Sequence, residues 1–165
     1  MKWMMVMNLP TRKPIRLENF DYAGVGAYFI TICTYKRKCI FWDSDVTAIL
    51  PEHAPLSHYG RIVKQCIELI PDVYPVVTVD RYVIMPNHVH LLLQIWEHND
   101  KSLPIPEISK IINQMKGVAS KNAGISLWQA RFYDHVIRND ADYRDAWNYI
   151  EGNPGKWLDD PLHIP

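Results

Sequence analysis

A mixed α+β fold built on a four-stranded antiparallel sheet is predicted for this 165-residue chain by three observations. Four runs rich in β-branched and aromatic residues alternate with two stretches of helical periodicity. The second and third runs are separated only by Pro86-Asn87, which reads as a hairpin turn. A further amphipathic stretch follows the fourth run. The order β-α-β-β-α-β plus a terminal helix matches the ferredoxin-like arrangement, in which two helices cover one face of the sheet.

Residues 1–26 read as an irregular arm, broken by Pro10 and Pro14 and closed by Gly24 and Gly26. Residues 27–157 form the expected domain, and 158–165 a C-terminal tail. The first strand is Ala27–Tyr35, where Tyr28, Phe29, Ile30, Thr31 and Ile32 favour a pleated surface. A variable stretch with Pro51 and Pro55 precedes a helix from His58 to Ile70, stopped by Pro71. Val76–Ile84 and His88–Trp96 are the hairpin strands. The second helix spans about Ile105 to Asn122, with Gly124 as its stop, and the fourth strand is Phe132–Ile137. Asn139 or Asp140 caps a last helix to about Glu151, closed by Gly152 and Pro154.

The composition is that of an ordinary globular domain, with 48% hydrophobic and 22% charged residues. Cys33, Cys39 and Cys66 are odd in number and lack CxxC spacing, which excludes a disulfide framework or zinc knuckle. They are expected to be reduced and mostly buried thiols of a cytoplasmic protein. The apolar start, Met1 to Met7, is too short for a membrane span. Formal net charge is zero, but nine Lys/Arg oppose five Asp/Glu in residues 1–64, and two oppose six in 139–165. Arg12, Lys13, Arg16, Lys36, Arg37 and Lys38 are candidate phosphate contacts, and Tyr22, Trp42 and Trp128 candidate stacking residues. Each is equally a surface or core residue.

His88-Val89-His90 carries the clearest chemistry. Residues two apart on a strand share a face, so Val89, Leu91, Leu93 and Ile95 point one way and His88, His90 and Gln94 the other. Two imidazoles side by side on a rigid strand form half of a divalent-metal site, or simply a pair of histidines without a ligand. With two helices over the apolar set, the histidines stand on the exposed face, and the terminal helix is the element left to lie over it. On that helix Tyr143, Ala146, Trp147 and Ile150 make one apolar stripe, so Tyr143 is most simply a packing residue. Tyr149 falls off the stripe, with Asn153 one turn further on. By position alone it is a candidate for chemistry or an ordinary surface tyrosine, and Tyr133 on the fourth strand competes with it.

Met85-Pro86-Asn87-His88-Val89-His90, then Trp128-Gln129-Ala130-Arg131-Phe132-Tyr133-Asp134-His135, then Asp142-Tyr143-Arg144, Tyr149-Ile150 and Asn153-Pro154 resemble the REP-associated tyrosine transposases. These belong to the IS200/IS605-like superfamily of single-tyrosine HUH transposases. The likeness runs from about Tyr28 to Trp157. It implies that 27–157 is a catalytic domain that binds a single-stranded DNA hairpin, a REP-like palindrome, and cleaves beside it. It further implies Tyr149 as nucleophile, His88 and His90 as ligands of Mg²⁺ or Mn²⁺, Asn153 as a third ligand, and a monomer or homodimer. Its 5′-phosphotyrosine intermediate would allow strand transfer without ATP. The neutral total charge departs from the basic character common in such proteins.

A non-catalytic single-stranded DNA- or RNA-binding module of the same topology is the alternative. Against it, the Lys/Arg-Gly-Phe/Tyr run of such modules is absent. A zinc hydrolase of the His-x-His-x-Asp-His kind is excluded because Leu91, Leu92 and Leu93 follow His90.

Overall fold

Strand β1, Gly26–Cys33, lies at the centre of the sheet, with antiparallel neighbours on both sides. The computed structural model describes residues 24–43 and 55–163. Strands β2 (Val77–Met85), β3 (His88–Ile95) and β4 (Tyr133–Val136) complete an antiparallel sheet of order β2-β3-β1-β4. With the intervening helices, this is the ferredoxin-like topology expected from the element order.

Helix α1, His58–Glu68, begins where the Ser57 hydroxyl accepts the Gly60 N–H, a side-chain cap on an otherwise orphan donor. Gly60 is there because a Cβ would stand 2.2 Å from the Phe41 carbonyl oxygen. Pro71 does not end the helical region as expected. A proline is tolerated in the first turn of a helix, and one more turn, α2 (Ile70–Val73), starts around it. Helix α3, Ile108–Ala123, ends on Gly124 at φ 69, the left-handed conformation that glycine adopts without a Cβ clash. Helix α4, Asp140–Gly152, is capped by Asn139, whose side-chain oxygen accepts the Asp142 N–H at 2.9 Å. A 3₁₀ segment, Pro154–Asp159, follows it. No helix among the described residues is long and apolar enough to cross a membrane.

Strand alternation divides the core in two. Tyr28, Ile30 and Ile32 of β1 with Val89, Leu91 and Leu93 of β3 pack under α1 and α3, against Val63, Ile67, Ile108, Ile111 and Ile112. On the other face Phe29 and Leu92 meet Ala146 and Ile150 of α4. That second face is not open. His88 and His90 are both 0% exposed, because α4 and the residues after it lie over them. Of the candidate stacking residues, Trp42 and Trp128 are core: their indole N–H groups donate to the Ile84 and Lys116 carbonyls at 2.7 and 3.2 Å. Cys66 is buried, whereas Cys39 is exposed, and all three thiols are free. Residues 1–23 of the arm, with Arg12, Lys13, Arg16 and Tyr22, lie outside the described residues, and its last residue, Gly26, opens β1.

Helix α4 is tied to β2 by an irregularity in that strand. The register shifts between Val79 and Arg81, and Asp80 accepts hydrogen bonds from the Thr78 hydroxyl at 2.7 Å and the Tyr143 hydroxyl at 2.8 Å. Arg81 lies over the Trp147 ring at 4.7 Å and reaches Glu151 at 2.9 Å. Tyr143 is therefore an anchor through its hydroxyl as well as its ring. Burial, and then the bond to and charge of Asp80, push its phenol up to about 12. Tyr143→Phe is predicted to lower stability near neutrality by about 1 kcal/mol, measured by urea unfolding. Because the folded-state pKa is raised, the wild-type increment is full below the unfolded value of about 10 and is lost as pH rises through about 12. A variant as stable as wild type near neutrality contradicts the anchoring role.

Candidate metal centre

The Pro86-Asn87 turn is clamped to the chain that leaves β1. The Pro86 carbonyl accepts the Ile40 and Phe41 N–H groups at 2.9 and 3.0 Å, and the Asn87 carbonyl accepts the Thr34 N–H at 2.9 Å. The Asn87 side chain then decides the state of the first histidine. Its Nδ2 donates to the Leu162 carbonyl at 2.8 Å and faces the Arg37 carbonyl at 3.4 Å. Both partners are acceptors, so the amide orientation is determined: Oδ1 is the atom 2.8 Å from His88 Nδ1, and it accepts the proton there. A neutral His88 with its proton on Nδ1 presents a lone pair at Nε2.

His90 stands beside it, with ring centroids 4.6 Å apart. Its Nδ1 lies 2.8 Å from the hydroxyl of Thr31, its register partner on β1, and its other face stacks on Phe29 at 5.3 Å. Burial, and then the neighbouring His88, hold its pKa well below the ordinary imidazole value, so the ring is neutral. Cys33 stands across the strand pair from His88. Burial pushes its thiol pKa up.

The third element is the chain after α4. Trp157 packs near His88 at 6.1 Å and Trp42 at 6.3 Å, and His163 sits against Trp157 at 4.8 Å. This brings in Asp160, only 7% exposed, whose Oδ2 lies 3.5 Å from His88 Nε2. That spacing is too long for a hydrogen bond of ordinary strength. Ligand atoms of His88, His90 and Asp160 all lie within 4.8 Å of one another. His88 Nε2, His90 Nε2 and Asp160 Oδ2 are all buried without a hydrogen-bond partner. Two imidazole lone pairs and a carboxylate in a dry pocket need an electropositive partner. The donor set fits a divalent cation.

Tyr149 completes the cluster. Its ring meets His90 edge-on at 5.2 Å and Phe29 at 5.9 Å. Asn153 keeps helical dihedrals at the end of α4, which places its amide one turn beyond Tyr149, and the two side chains hydrogen-bond. Burial raises the phenol pKa to about 12, the charge of Asp160 adds to the rise, and the bond to Asn153 opposes it. Without a compensating cation the hydroxyl is thus a proton-bearing group at neutral pH.

Several relatives bear on this geometry. An uncharacterised protein of Haemophilus influenzae Rd is 35% identical over 173 aligned residues, which cover 93% of this chain and 93% of that one. A second protein of that organism, carrying the name REP-associated tyrosine transposase, is 29% identical across 82% of this chain and 74% of its own. The REP-associated tyrosine transposase of Escherichia coli K12 is 32% identical over 79 residues, 47% of this chain and 44% of its own. The chain is thus similar to REP-associated tyrosine transposases. A solved REP-associated tyrosine transposase, bound to a REP hairpin, shares the fold at a TM-score of 0.62 and 23% identity, over 86% of this chain and 74% of that one. No protein-family model matches the chain.

Within this fold, His88, His90, Tyr149 and Asn153 come together in one pocket. Tyr133 does not join them; it pairs with Thr31 at the β4 edge. Asp160 was not legible as a site residue: it lies about 70 positions from the histidine motif, in a stretch read only as an acidic tail. Trp157 and Leu162, apolar residues flanking it, are the one sequence signal that this segment packs. Lys36, Arg37 and Lys38 are exposed on the loop after β1, with Lys36 and Arg37 at φ 54 and 53.

Asn87→Ala removes the donor to Leu162 and the acceptor for His88 at once, leaving buried polar groups unpaired. We predict a loss of about 2–3 kcal/mol in urea unfolding. A change within the scatter of surface substitutions contradicts the bridging role.

Proposed function

We propose that the chain is a metal-dependent single-stranded DNA endonuclease and strand transferase acting at DNA hairpins. One observation carries the reading: the Tyr149 ring abuts an imidazole pair whose Nε2 atoms both lack partners. His88 and His90 would hold Mg²⁺ or Mn²⁺, with Asn153 as a further ligand. The ion, when bound, neutralises charge on the non-bridging oxygens of the scissile phosphate. Neutral imidazoles leave most of its Lewis acidity intact. Because a phenol hydroxyl both donates and accepts, Asn153 can turn its amide oxygen inward and still hold Tyr149.

In the proposed step the Tyr149 Oη attacks phosphorus, the bond to the 3′ oxygen breaks, and the leaving oxygen takes a proton. The product is a 5′-phosphotyrosyl link and a free 3′-OH. The bond energy is retained in the tyrosyl phosphodiester, so a 3′-OH attacking it rejoins a strand and returns the phenol. Phe29 and the α4 face fix the ring so that its orientation need not be found at each turnover. One chain holds the whole constellation, which supports action by a monomer on its own bound strand. Lys36, Arg37 and Lys38, at the histidine end of the sheet, are placed to meet phosphates. The free thiols suit a cytoplasmic setting.

The test is a labelled single-stranded hairpin incubated with protein and Mn²⁺ or Mg²⁺, then run on a denaturing gel. Wild type and Tyr143→Phe give a covalent adduct. Tyr149→Phe abolishes it yet keeps hairpin affinity within about twofold, since no phosphate contact is lost. His88→Ala and His90→Ala each abolish cleavage. An adduct that survives Tyr149→Phe overturns the nucleophile assignment, and hairpin binding with no adduct under either metal favours the binding-module alternative.

A further inference from the structure

We infer that Asp160 is itself a ligand of the divalent ion, so that the turn after α4 supplies the centre's one anionic donor. The inference rests on the metal-dependent reading above and extends it to a residue outside the histidine–tyrosine–asparagine set. Only one carboxylate oxygen is occupied: Oδ1 accepts the Leu162 N–H at 2.7 Å. Oδ2 has no partner and faces His88 Nε2 at 3.5 Å. In the neutral ring, whose one proton Asn87 draws to Nδ1, that contact sets one electron-pair donor against another. The ion pairs among the described residues give Asp160 no lysine or arginine. A buried carboxylate in this position is strongly disfavoured unless a cation joins it.

Geometry agrees. Donors of a single ion with bonds of about 2.0–2.4 Å stand as much as about 4–5 Å apart, and the three ligand atoms here fall within 4.8 Å. The backbone also serves the arrangement. The Asn87 amide that orients His88 holds the Leu162 carbonyl, two residues beyond Asp160, so one side chain sets both donors. Two imidazoles with one carboxylate form a donor set better matched to Mn²⁺ than to Mg²⁺. The ion's affinity then depends on the turn 157–163 being docked.

The full chain, stripped of metal and without DNA, is titrated with Mn²⁺ by electron paramagnetic resonance and calorimetry. Asp160→Asn keeps the volume and the oxygen that accepts Leu162. It is expected to bind Mn²⁺ at least about tenfold more weakly, whereas Asp159→Asn, at an exposed neighbouring position, binds as wild type. Unchanged affinity in Asp160→Asn, with binding lost in His88→Ala, overturns this inference and leaves the proposed function standing. An equal loss in Asp159→Asn reports bulk charge and also overturns it. No Mn²⁺ binding by wild type sinks both. Hydrogen exchange on the wild type needs no variant: Mn²⁺ is expected to protect the amides of 157–163 together with those of 88–90. Protection confined to 88–90 counts against Asp160.

Discussion

The arrangement depends on one side chain with two fixed obligations. Asn87 donates to carbonyl oxygens from the loop after β1 and from the C-terminal turn, so its own oxygen is committed to His88 Nδ1. A neutral histidine that carries its proton on Nδ1 shows a lone pair on the other nitrogen. That lone pair is directed at Asp160, beside a second imidazole held through Thr31. The hairpin turn is thus the point where chain topology becomes ligand chemistry. Moving the turn would free the tautomer, the C-terminal docking and the pocket's polarity together.

The sheet makes this possible by keeping its faces separate. Strand alternation sends Val89 and Leu91 to the core under α1 and α3, and the same alternation sends His88 and His90 under α4. Burial on the second face has a cost and a use. It holds His90 neutral and raises the Tyr149 phenol to about 12. It also removes the water that would otherwise screen a cation's field, so a charge placed among these donors acts strongly on a nearby phosphate. The pocket therefore places a proton-bearing tyrosine beside imidazole lone pairs that, on the proposed reading, a cation would engage.

Much of this was legible in the sequence because strands and helices impose short periods. Period two put His88 and His90 on one face, the terminal helix was the element left to cover it, and the stripe of Tyr143, Ala146, Trp147 and Ile150 left Tyr149 off the packing side. The i, i+4 relation brought Asn153 to Tyr149 once the helical turn persisted through Gly152. What was not legible depends on contacts without a period. Asp160 reaches the site through a 3₁₀ segment anchored by Trp157, and nothing local marks its partner as His88. Burial of the two histidines escaped for the same reason, since the covering turn lay in a stretch read as a tail. Pro71 misled because a proline that stops one helix is equally at home in the first turn of the next.

The central claim is that one cation belongs between the Nε2 atoms of His88 and His90, next to Tyr149. Anomalous diffraction from crystals of the full chain grown with Mn²⁺ tests it most directly. The account requires a single strong peak at coordination distance from both imidazoles, within the pocket closed by α4. A map with no peak there, or with Mn²⁺ bound elsewhere on the surface and both rings hydrogen-bonded only to water, would contradict it.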